Sequence, residues 1–156
     1  MRRLKIYLET TIWNFYFAED APDKQATTQT FFGQLDQYDL FISELVLREI
    51  LKTKNPEKQA ILLELVNKYK PTILTIDKDI ENLAEKYITE NVLTDKHRED
   101  AQHISVAAVN EMDLLVSWNM RDIVRLKTRQ GVNAIHTLKG YKYLEIVNPE
   151  EIVNYD

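Results

Sequence analysis

The sequence predicts an α/β fold, a three-layer α/β/α sandwich with a central parallel sheet of about five strands. Short apolar runs alternate with longer amphipathic runs along the chain, a pattern typical of βαβ units. The chain contains three glycines and four prolines, fewer than a barrel or sandwich of many short hairpins usually needs. No repeat, low-complexity tract or linker interrupts its 156 residues, so we expect a single domain over residues 1–156.

The predicted strands are short apolar runs bounded by polar residues or proline, and they cover residues 4–8, 40–42, 72–76, 114–117 and 144–147. Pro71 precedes the third strand and Pro149 ends the fifth. The fourth run is continuous and apolar before Ser117, as a parallel strand buried on both faces should be. These strands, separated by helices, favour a sheet covered on both faces.

The predicted helices follow amphipathic runs, and they cover residues 23–37, 44–53, 56–70, 77–91, 95–110 and 120–127. Ser43 stands where an N-cap is expected for the second of these helices. Asn119 stands at the same place for the last one. In the third helix, Ile61, Leu62 and Leu65 fall on one stripe, which predicts a face packed on the sheet.

Composition and charge exclude several classes of protein. The chain has no cysteine, which excludes disulfide frameworks, thiolate zinc sites and cysteine nucleophiles. No run approaches the roughly 18 consecutive apolar residues of a membrane span, and the first residues precede no signal-peptide h-region. We therefore expect a cytoplasmic protein that does not enter a membrane. The net charge of −5 argues against a passive nucleic-acid binder held by phosphate neutralisation.

The phosphate-binding and nucleophile motifs of common α/β enzymes are missing from the sequence. It contains no G-x-G-x-x-G after a strand, no G-x-x-x-x-G-K-[ST] and no G-x-S-x-G. With three histidines and no cysteine, a histidine-rich zinc site is not expected. In open α/β sheets, ligands bind beyond the carboxyl ends of the strands. The side chains that the sequence leaves at those positions carry carboxylate and amide oxygens.

Five such side chains stand out. Glu9 directly follows the first strand, and Glu49 lies beside the apolar stripe of the helix after the second. Asp100 heads a buried stripe of a later helix. Asn119 follows the fourth strand, and Asp122 comes three residues later. Each has an ordinary interpretation as well: a capping acid, a boundary glutamate paired with a nearby lysine or arginine, or a helix N-cap.

Taken together, these oxygen-bearing residues indicate a divalent metal site. Hard oxygen ligands suit Mg²⁺ or Mn²⁺ rather than zinc or copper. Such a metal can activate water and stabilise charge on an attacked phosphate, as in metal-dependent phosphodiester cleavage.

The same residues carry a resemblance to the PIN-domain family of small metal-dependent ribonucleases, which includes the VapC-type toxins. Four motifs match in order: Tyr-Leu-Glu-Thr-Thr at residues 7–11, Ser-x-x-x-x-x-Glu at 43–49, Asp-Ala-x-His-Ile-x-x-Ala at 100–107 and Leu-Leu-x-Ser-Trp-Asn at 114–119. The runs Asp-Ala-Gln-His and Ser-Trp-Asn are the more specific of these. The resemblance covers essentially the whole chain and implies a PIN-like fold.

The resemblance implies that Glu9, Glu49 and Asp100 are acidic metal ligands, with Asn119 in the fourth, usually acidic, position. Two departures from the family pattern stand here. Glu9 is one methylene longer than the usual aspartate, and Asn119 lacks the usual negative charge, for which Asp122 can compensate.

The resemblance also implies supporting residues around the ligands. Thr11 would support the cluster by hydrogen bonding. The same motifs contain three further candidates for this role: Ser43, His103 and Ser117.

The positive charge of the chain is concentrated in one segment. Residues 119–142 contain six basic residues and one acid, a net charge of +5, so the rest of the chain carries −10. Arg121 and Arg125 lie in this segment, and Arg98 lies just before Asp100. These arginines are candidates for RNA binding, because a basic rim beside a carboxylate cluster steers phosphate towards it. Ordinary solvated helix charges would give the same pattern.

Three hypotheses for function follow. The first is an Mg²⁺- or Mn²⁺-dependent endoribonuclease, which by the VapC resemblance would be the toxin of a toxin–antitoxin pair and form a homodimer with an antitoxin covering its site. The second is a catalytically degenerate PIN domain that binds RNA or protein, an interpretation motivated by Glu9 and Asn119. The third is a phosphoaspartyl receiver or phosphatase, disfavoured because the first strand ends in a single acid.

Overall fold

The computed structural model of the protein describes residues 2–154, and its centre is an all-parallel sheet of five strands. These are β1 (Lys5–Leu8), β2 (Asp39–Ser43), β3 (Thr72–Leu74), β4 (Leu114–Val116) and β5 (Glu145–Val147). Their spatial order is β3-β2-β1-β4-β5. The parallel α/β architecture predicted from the sequence is therefore confirmed.

Eight α-helices connect and cover the strands. They are α1 (Thr10–Phe15), α2 (Pro22–Phe32), α3 (Glu44–Leu51), α4 (Pro56–Tyr69), α5 (Lys78–Thr89), α6 (Arg98–Val109), α7 (Leu126–Lys139) and α8 (Pro149–Ile152). Helices α1 to α4 pack on one another, whereas α5 packs on α6 and α7. Because crossovers between parallel strands are right-handed, the two groups cover opposite faces of the sheet.

The apolar patterns account for this packing. Ile6, Tyr7 and Leu8 of the central strand are fully buried, as a strand covered on both faces requires. Ser43 caps α3 as predicted, since its side-chain oxygen accepts the Leu45 N–H. Among residues 2–154, no helix has the length and apolar character needed to cross a membrane.

The helix predictions differ from the structure at α1, α2, α7 and α8; α8 and the part of α7 beyond residue 127 were not predicted. Helix α1 was not predicted, because a six-residue helix is too short to display an apolar period. Helix α2 ends at Phe32 and is followed by a 3₁₀ turn, Leu35–Gln37, rather than continuing to residue 37. The predicted helix over residues 120–127 is wrong: this segment forms turns, and α7 begins only at Leu126.

The physical reason for the last error lies in the turn after β4. The carbonyl oxygen of Asn119 accepts hydrogen bonds from the amides of both Ile123 and Val124, which closes a tight loop. An α-helix over residues 120–127 would bond each amide to the carbonyl four residues earlier, whereas the Val124 amide reaches back five residues to Asn119. Arg125 then has an extended backbone, which ends the turn before α7 starts.

A buried polar network fixes α7 against β5 and α5. The side chain of Asn133 donates to the carbonyl of Leu144 and accepts the amide of the same residue, at 3.0 and 2.8 Å. Its amide oxygen also faces Nδ1 of His136, which must therefore carry the proton, while Nε2 accepts from Tyr87. Burial lowers the pKa of His136 to about 4, in keeping with this neutral form.

The order of the strands creates a crevice at the centre of the sheet. From β1 the chain proceeds outward through β2 to β3, then returns to add β4 and β5 on the other side. The carboxyl ends of β1 and β4 are therefore adjacent at the point where the direction reverses, the usual ligand position in such sheets. Glu9 follows β1 there, and Ser117 follows β4.

Candidate metal centre

Glu9 is held at this edge by three hydrogen bonds to one of its two carboxylate oxygens. Its Oε1 accepts from the Thr11 hydroxyl at 2.5 Å, from the Ser117 hydroxyl at 2.6 Å and from the Thr11 amide at 3.3 Å. Glu9 is 3% exposed and caps the start of α1. Its Oε2 makes no hydrogen bond to the described residues, so this oxygen remains available to a ligand.

Glu49 reaches the same edge from α3 and is oriented in the same manner. Its Oε1 accepts from the Thr10 hydroxyl at 3.2 Å and from Nε2 of His103. Burial raises the pKa of Glu49, but the hydrogen bond from His103 and the charge of its ring outweigh burial, and the pKa is lowered overall. Glu49 is therefore a carboxylate whose second oxygen, like that of Glu9, has no hydrogen-bond partner within residues 2–154.

His103 connects this carboxylate to a buried chain of hydrogen bonds. Its Nδ1 lies 2.7 Å from the hydroxyl of Tyr7, which lies 2.7 Å from the hydroxyl of Ser43. Burial lowers the pKa of His103, but the hydrogen bond to Glu49 and the neighbouring carboxylates raise it more, so the net shift is upward. Rotation of the two hydroxyls can satisfy the ring whether Nδ1 donates or accepts. His103 therefore positions Glu49.

A second cluster lies at the start of α6. Nδ1 of His97 is 3.4 Å from Asp100, and Nε2 is 3.6 Å from Asp122. The potential ligand atoms of the three residues all lie within 4.8 Å of one another. Burial and the negative charges of Glu9 and Asp122 raise the pKa of Asp100 to about 6. The charged form of Asp100 is thus disfavoured in this cluster.

Asn119, predicted as the fourth ligand, acts structurally in the turn after β4. Its side-chain oxygen accepts the amide of Asp122 at 3.1 Å, and its own amide donates to the hydroxyl of Ser117 at 2.9 Å. These contacts hold Asp122 towards Asp100. The amide oxygen of Asn119 has a second lone pair, so a role as a ligand stays a prediction.

The structure therefore brings the predicted residues together in two adjacent groups. One contains Glu9, Glu49 and His103, and the other contains Asp100, Asp122 and His97. The electrostatic effect of Glu9 on Asp100 shows that the groups are coupled.

Sequence reasoning missed three residues: Tyr7, Thr10 and His97. Tyr7 lies in an apolar strand and is indistinguishable from a core aromatic until its hydroxyl is placed. Thr10 gives no pattern of its own. His97 had a usable signal, since it precedes Asp100 by three residues, the spacing of neighbours on a helix face.

The donor set fits a hard divalent cation. Four carboxylates converge on this edge, and the two glutamates each present one oxygen without a hydrogen bond to the described part of the chain. Oxygen ligands of this kind are those that Mg²⁺ and Mn²⁺ prefer, and an imidazole such as that of His97 favours Mn²⁺. A bound cation would also offset the charge that raises the pKa of Asp100.

The three arginines predicted to bind RNA have different surroundings. Arg98 forms ion pairs with Glu85 and Asp95, so its charge is locally balanced. Arg121 and Arg125 line a cavity that also includes His97 and Asp122. Arg121 and Arg125 are therefore open to a ligand beside the carboxylates, whereas Arg98 is already paired with acids.

Comparison with known proteins supports the fold. No protein-family profile matches the sequence, and no curated protein matches it. Among solved structures, the chain is similar to a chain of VapBC2 from Rickettsia felis. That crystal structure shows VapBC2 bound to a DNA fragment from the VapBC2 promoter. The TM-score is 0.57 at 16% identity, over 93% of this chain and 98% of that one. At this identity the likeness establishes a PIN-like fold.

Proposed function

We propose that the protein is a cytoplasmic, Mg²⁺- or Mn²⁺-dependent endoribonuclease, the toxin of a toxin–antitoxin pair. The observation that carries this proposal is the convergence of Glu9, Glu49, Asp100 and Asp122 on the carboxyl ends of β1 and β4. Such a cluster is unfavourable without a cation. The PIN-like fold supports the choice of reaction.

Each residue then has a defined task. Glu9 and Glu49 would hold the metal through their free Oε2 atoms, and Asp100 and Asp122 would complete the oxygen ligands, with Asn119 as a further donor. When bound, the cation supplies polarisation of the scissile phosphate and activation of water. Thr11 and Ser117 keep Glu9 oriented, and His103 does the same for Glu49.

The decisive experiment compares RNA cleavage by the wild type and by Asp100→Asn, with Mg²⁺ or Mn²⁺ and with a chelator. We expect cleavage by the wild type that requires metal and that falls at least a hundredfold in the variant, on the order of the loss seen when a charge-stabilising group is removed. Asp36→Asn is the matched control, because Asp36 is exposed and precedes β2 at the opposite edge of the sheet. Cleavage that persists with both chelator and Asp100→Asn would overturn the proposal.

A second function is favoured by Asn119. Its side-chain oxygen already caps the turn at Asp122, which is the arrangement expected if this position has lost a ligand role. The protein would then be a PIN-like module that binds RNA or another protein without cleaving. Calorimetric titration with Mn²⁺ separates the two functions: millimolar metal binds the wild type but not Asp100→Asn if the first is right, and binds neither if the second is right.

The proposed toxin function also specifies partners. The similar chain belongs to VapBC2, and its structure contains promoter DNA. By analogy we propose that an antitoxin protein covers the carboxylate edge of this chain and that two copies form a homodimer. RNA is the proposed substrate.

A further inference from the structure

A small cavity lies against the second cluster of the candidate metal centre. It has a volume of about 280 Å³, and six of the residues that line it are Leu93, Thr94, His97, Arg121, Arg125 and Lys127. The cavity also contacts Asp122, so it shares a wall with the carboxylate cluster. Its volume is just below the roughly 300–1,000 Å³ of pockets for drug-sized ligands, which favours a small ligand group.

The cations around this cavity are unpaired. Arg121, Arg125 and Lys127 are exposed and form no ion pair within residues 2–154. Arg98, by contrast, is balanced by two acids. The one carboxylate that lines the cavity, Asp122, faces His97 in the neighbouring cluster. The cavity therefore has an excess of positive charge.

The backbone that presents these cations is well ordered by local hydrogen bonds. The Thr128 hydroxyl donates to the Asp122 carbonyl at 2.6 Å, and Nη1 of Arg125 donates to the Arg121 carbonyl at 3.3 Å. Asn119 caps the start of the same turn. The backbone positions of these residues are thus set before a ligand arrives, which reduces the entropy lost when the segment is ordered on binding.

We propose that this cavity binds a backbone phosphate of the RNA strand, next to the phosphate that lies at the carboxylates. Arginine guanidinium groups match phosphate oxygens in geometry and charge. A strand phosphate fits better than a free anion, because the cavity and the carboxylate cluster share Asp122 and His97. The inference rests on the proposed function, since it assigns the position of the substrate of that same site.

This phosphate contact would set the register of the strand without taking part in the reaction. Its loss should weaken RNA binding and raise KM while leaving kcat nearly unchanged, because the contact is the same in the ground and transition states. The variant for this test is Arg121→Gln/Arg125→Gln. Lys139→Gln is the matched control: it removes one cation at the other end of α7, about 18 Å from Lys127 along the helix.

The first measurement is a titration of the protein with inorganic phosphate, followed by amide chemical shifts in the absence of metal. We expect saturable shifts of residues 121–128 in the wild type and in Lys139→Gln, and their loss in the double variant. No saturable shift in the wild type, or equal shifts in the double variant, would overturn the proposal whatever the protein does to RNA.

The second measurement tests whether the phosphate belongs to a strand. A short labelled single-stranded RNA is titrated by fluorescence anisotropy at several salt concentrations, in the Asp100→Asn background, in which we expect RNA to stay uncut. Removal of the two arginines should reduce the slope of log K against log salt by about 1.4, at about 0.7 per phosphate contact on single strands. An unchanged slope beside a positive phosphate titration, or no RNA binding at all, would assign the cavity to a free anion and reject the strand.

These outcomes separate the failure of this inference from the failure of the proposed function. Phosphate and RNA binding that depend on the two arginines, without any cleavage by the wild type, would leave the cavity assigned and reject the nuclease. Metal-dependent cleavage whose KM is unaffected by the double variant would retain the nuclease and reject the cavity.

Discussion

At the scale of single residues, Ser117 joins the two halves of the candidate metal centre. Its hydroxyl donates to Oε1 of Glu9 and accepts the amide of Asn119, and the residue is fully buried. One hydroxyl thus orients the carboxylate after β1 and anchors the turn after β4. Partners of this kind fix a ligand in the geometry that a metal requires.

We predict that Ser117→Ala lowers the affinity for Mn²⁺ by about tenfold or more, the usual effect of removing such a partner. It also leaves the Asn119 amide without its acceptor, which should reduce the free energy of unfolding by about 1–3 kcal/mol. Calorimetric titration measures the first effect and urea unfolding the second.

Ser105→Ala is the matched control for this prediction. Ser105 is equally buried and donates to the Ile80 carbonyl, a contact between α6 and α5 rather than with a carboxylate. This variant should lose stability and keep the metal affinity of the wild type. Equal affinities in both variants would show that Ser117 has no part in the site.

The residues that carry charge were predictable, and those that orient them were not. Glu9, Glu49 and Asp100 were singled out because each carboxylate stands beside apolar residues, and the PIN-domain motifs contain the same three. Tyr7 was not found, because its position in a buried strand is fully explained by packing until the contact with His103 is seen. Hydrogen bonds between distant segments depend on side-chain direction, which spacing along the chain does not encode.

At the scale of elements, the strands and four of the helices followed from apolar periodicity. The errors occurred at helices too short to show a period, such as α1, and at the turn after β4. Residues 120–125 carry helix-compatible side chains, but the amides of Ile123 and Val124 share the carbonyl of Asn119, which closes a turn. The turn has a consequence for the site, because it directs Asp122 towards Asp100. A helix from residue 120 would have changed that direction.

Gly131 of α7 lies close to the side chain of Val92. A Cβ added to Gly131 would lie 2.7 and 2.8 Å from the two methyl carbons of Val92, which is too close for ordinary packing. We predict that Gly131→Ala destabilises the protein by about 1 kcal/mol: the overlap costs about 1–3 kcal/mol, and the gain in helix propensity returns about 1. The measurement is the free energy of unfolding in urea.

The double variant Gly131→Ala/Val92→Ala tests the cause. If the overlap with Val92 is responsible, Gly131→Ala should be neutral or stabilising in the Val92→Ala background, because only the gain in helix propensity remains. The same loss of stability in both backgrounds would assign the effect to another contact of α7.

At the scale of the whole molecule, the order of the strands assembles the candidate site. Glu9 and Ser117 are separated by 108 positions in the sequence and are hydrogen-bonded, because β1 and β4 are adjacent. Charge is also unevenly distributed around this edge of the sheet. Four carboxylates gather where the metal is proposed, and the basic segment 119–142 borders them. A net charge of −5 therefore does not prevent contact with RNA at this edge.

A site built this way should reduce the stability of the metal-free protein. Asp100 is 19% exposed at its side chain and lies among the negative charges of Glu9 and Asp122. We predict that, with a chelator at pH 7.5, the free energy of unfolding in urea is about 1–2 kcal/mol higher for Asp100→Asn than for the wild type, because repulsion between carboxylates is relieved.

Mn²⁺ should then stabilise the wild type by about 2.7 kcal/mol at a hundredfold excess over Kd, and the variant hardly at all. On adding metal, the free energy of unfolding of the wild type should therefore reach or exceed that of Asp100→Asn. The control Asp36→Asn should follow the wild type in both conditions. A metal-free wild type as stable as the variant, or equal gains from Mn²⁺ in both, would contradict the idea that these carboxylates are held together for a cation.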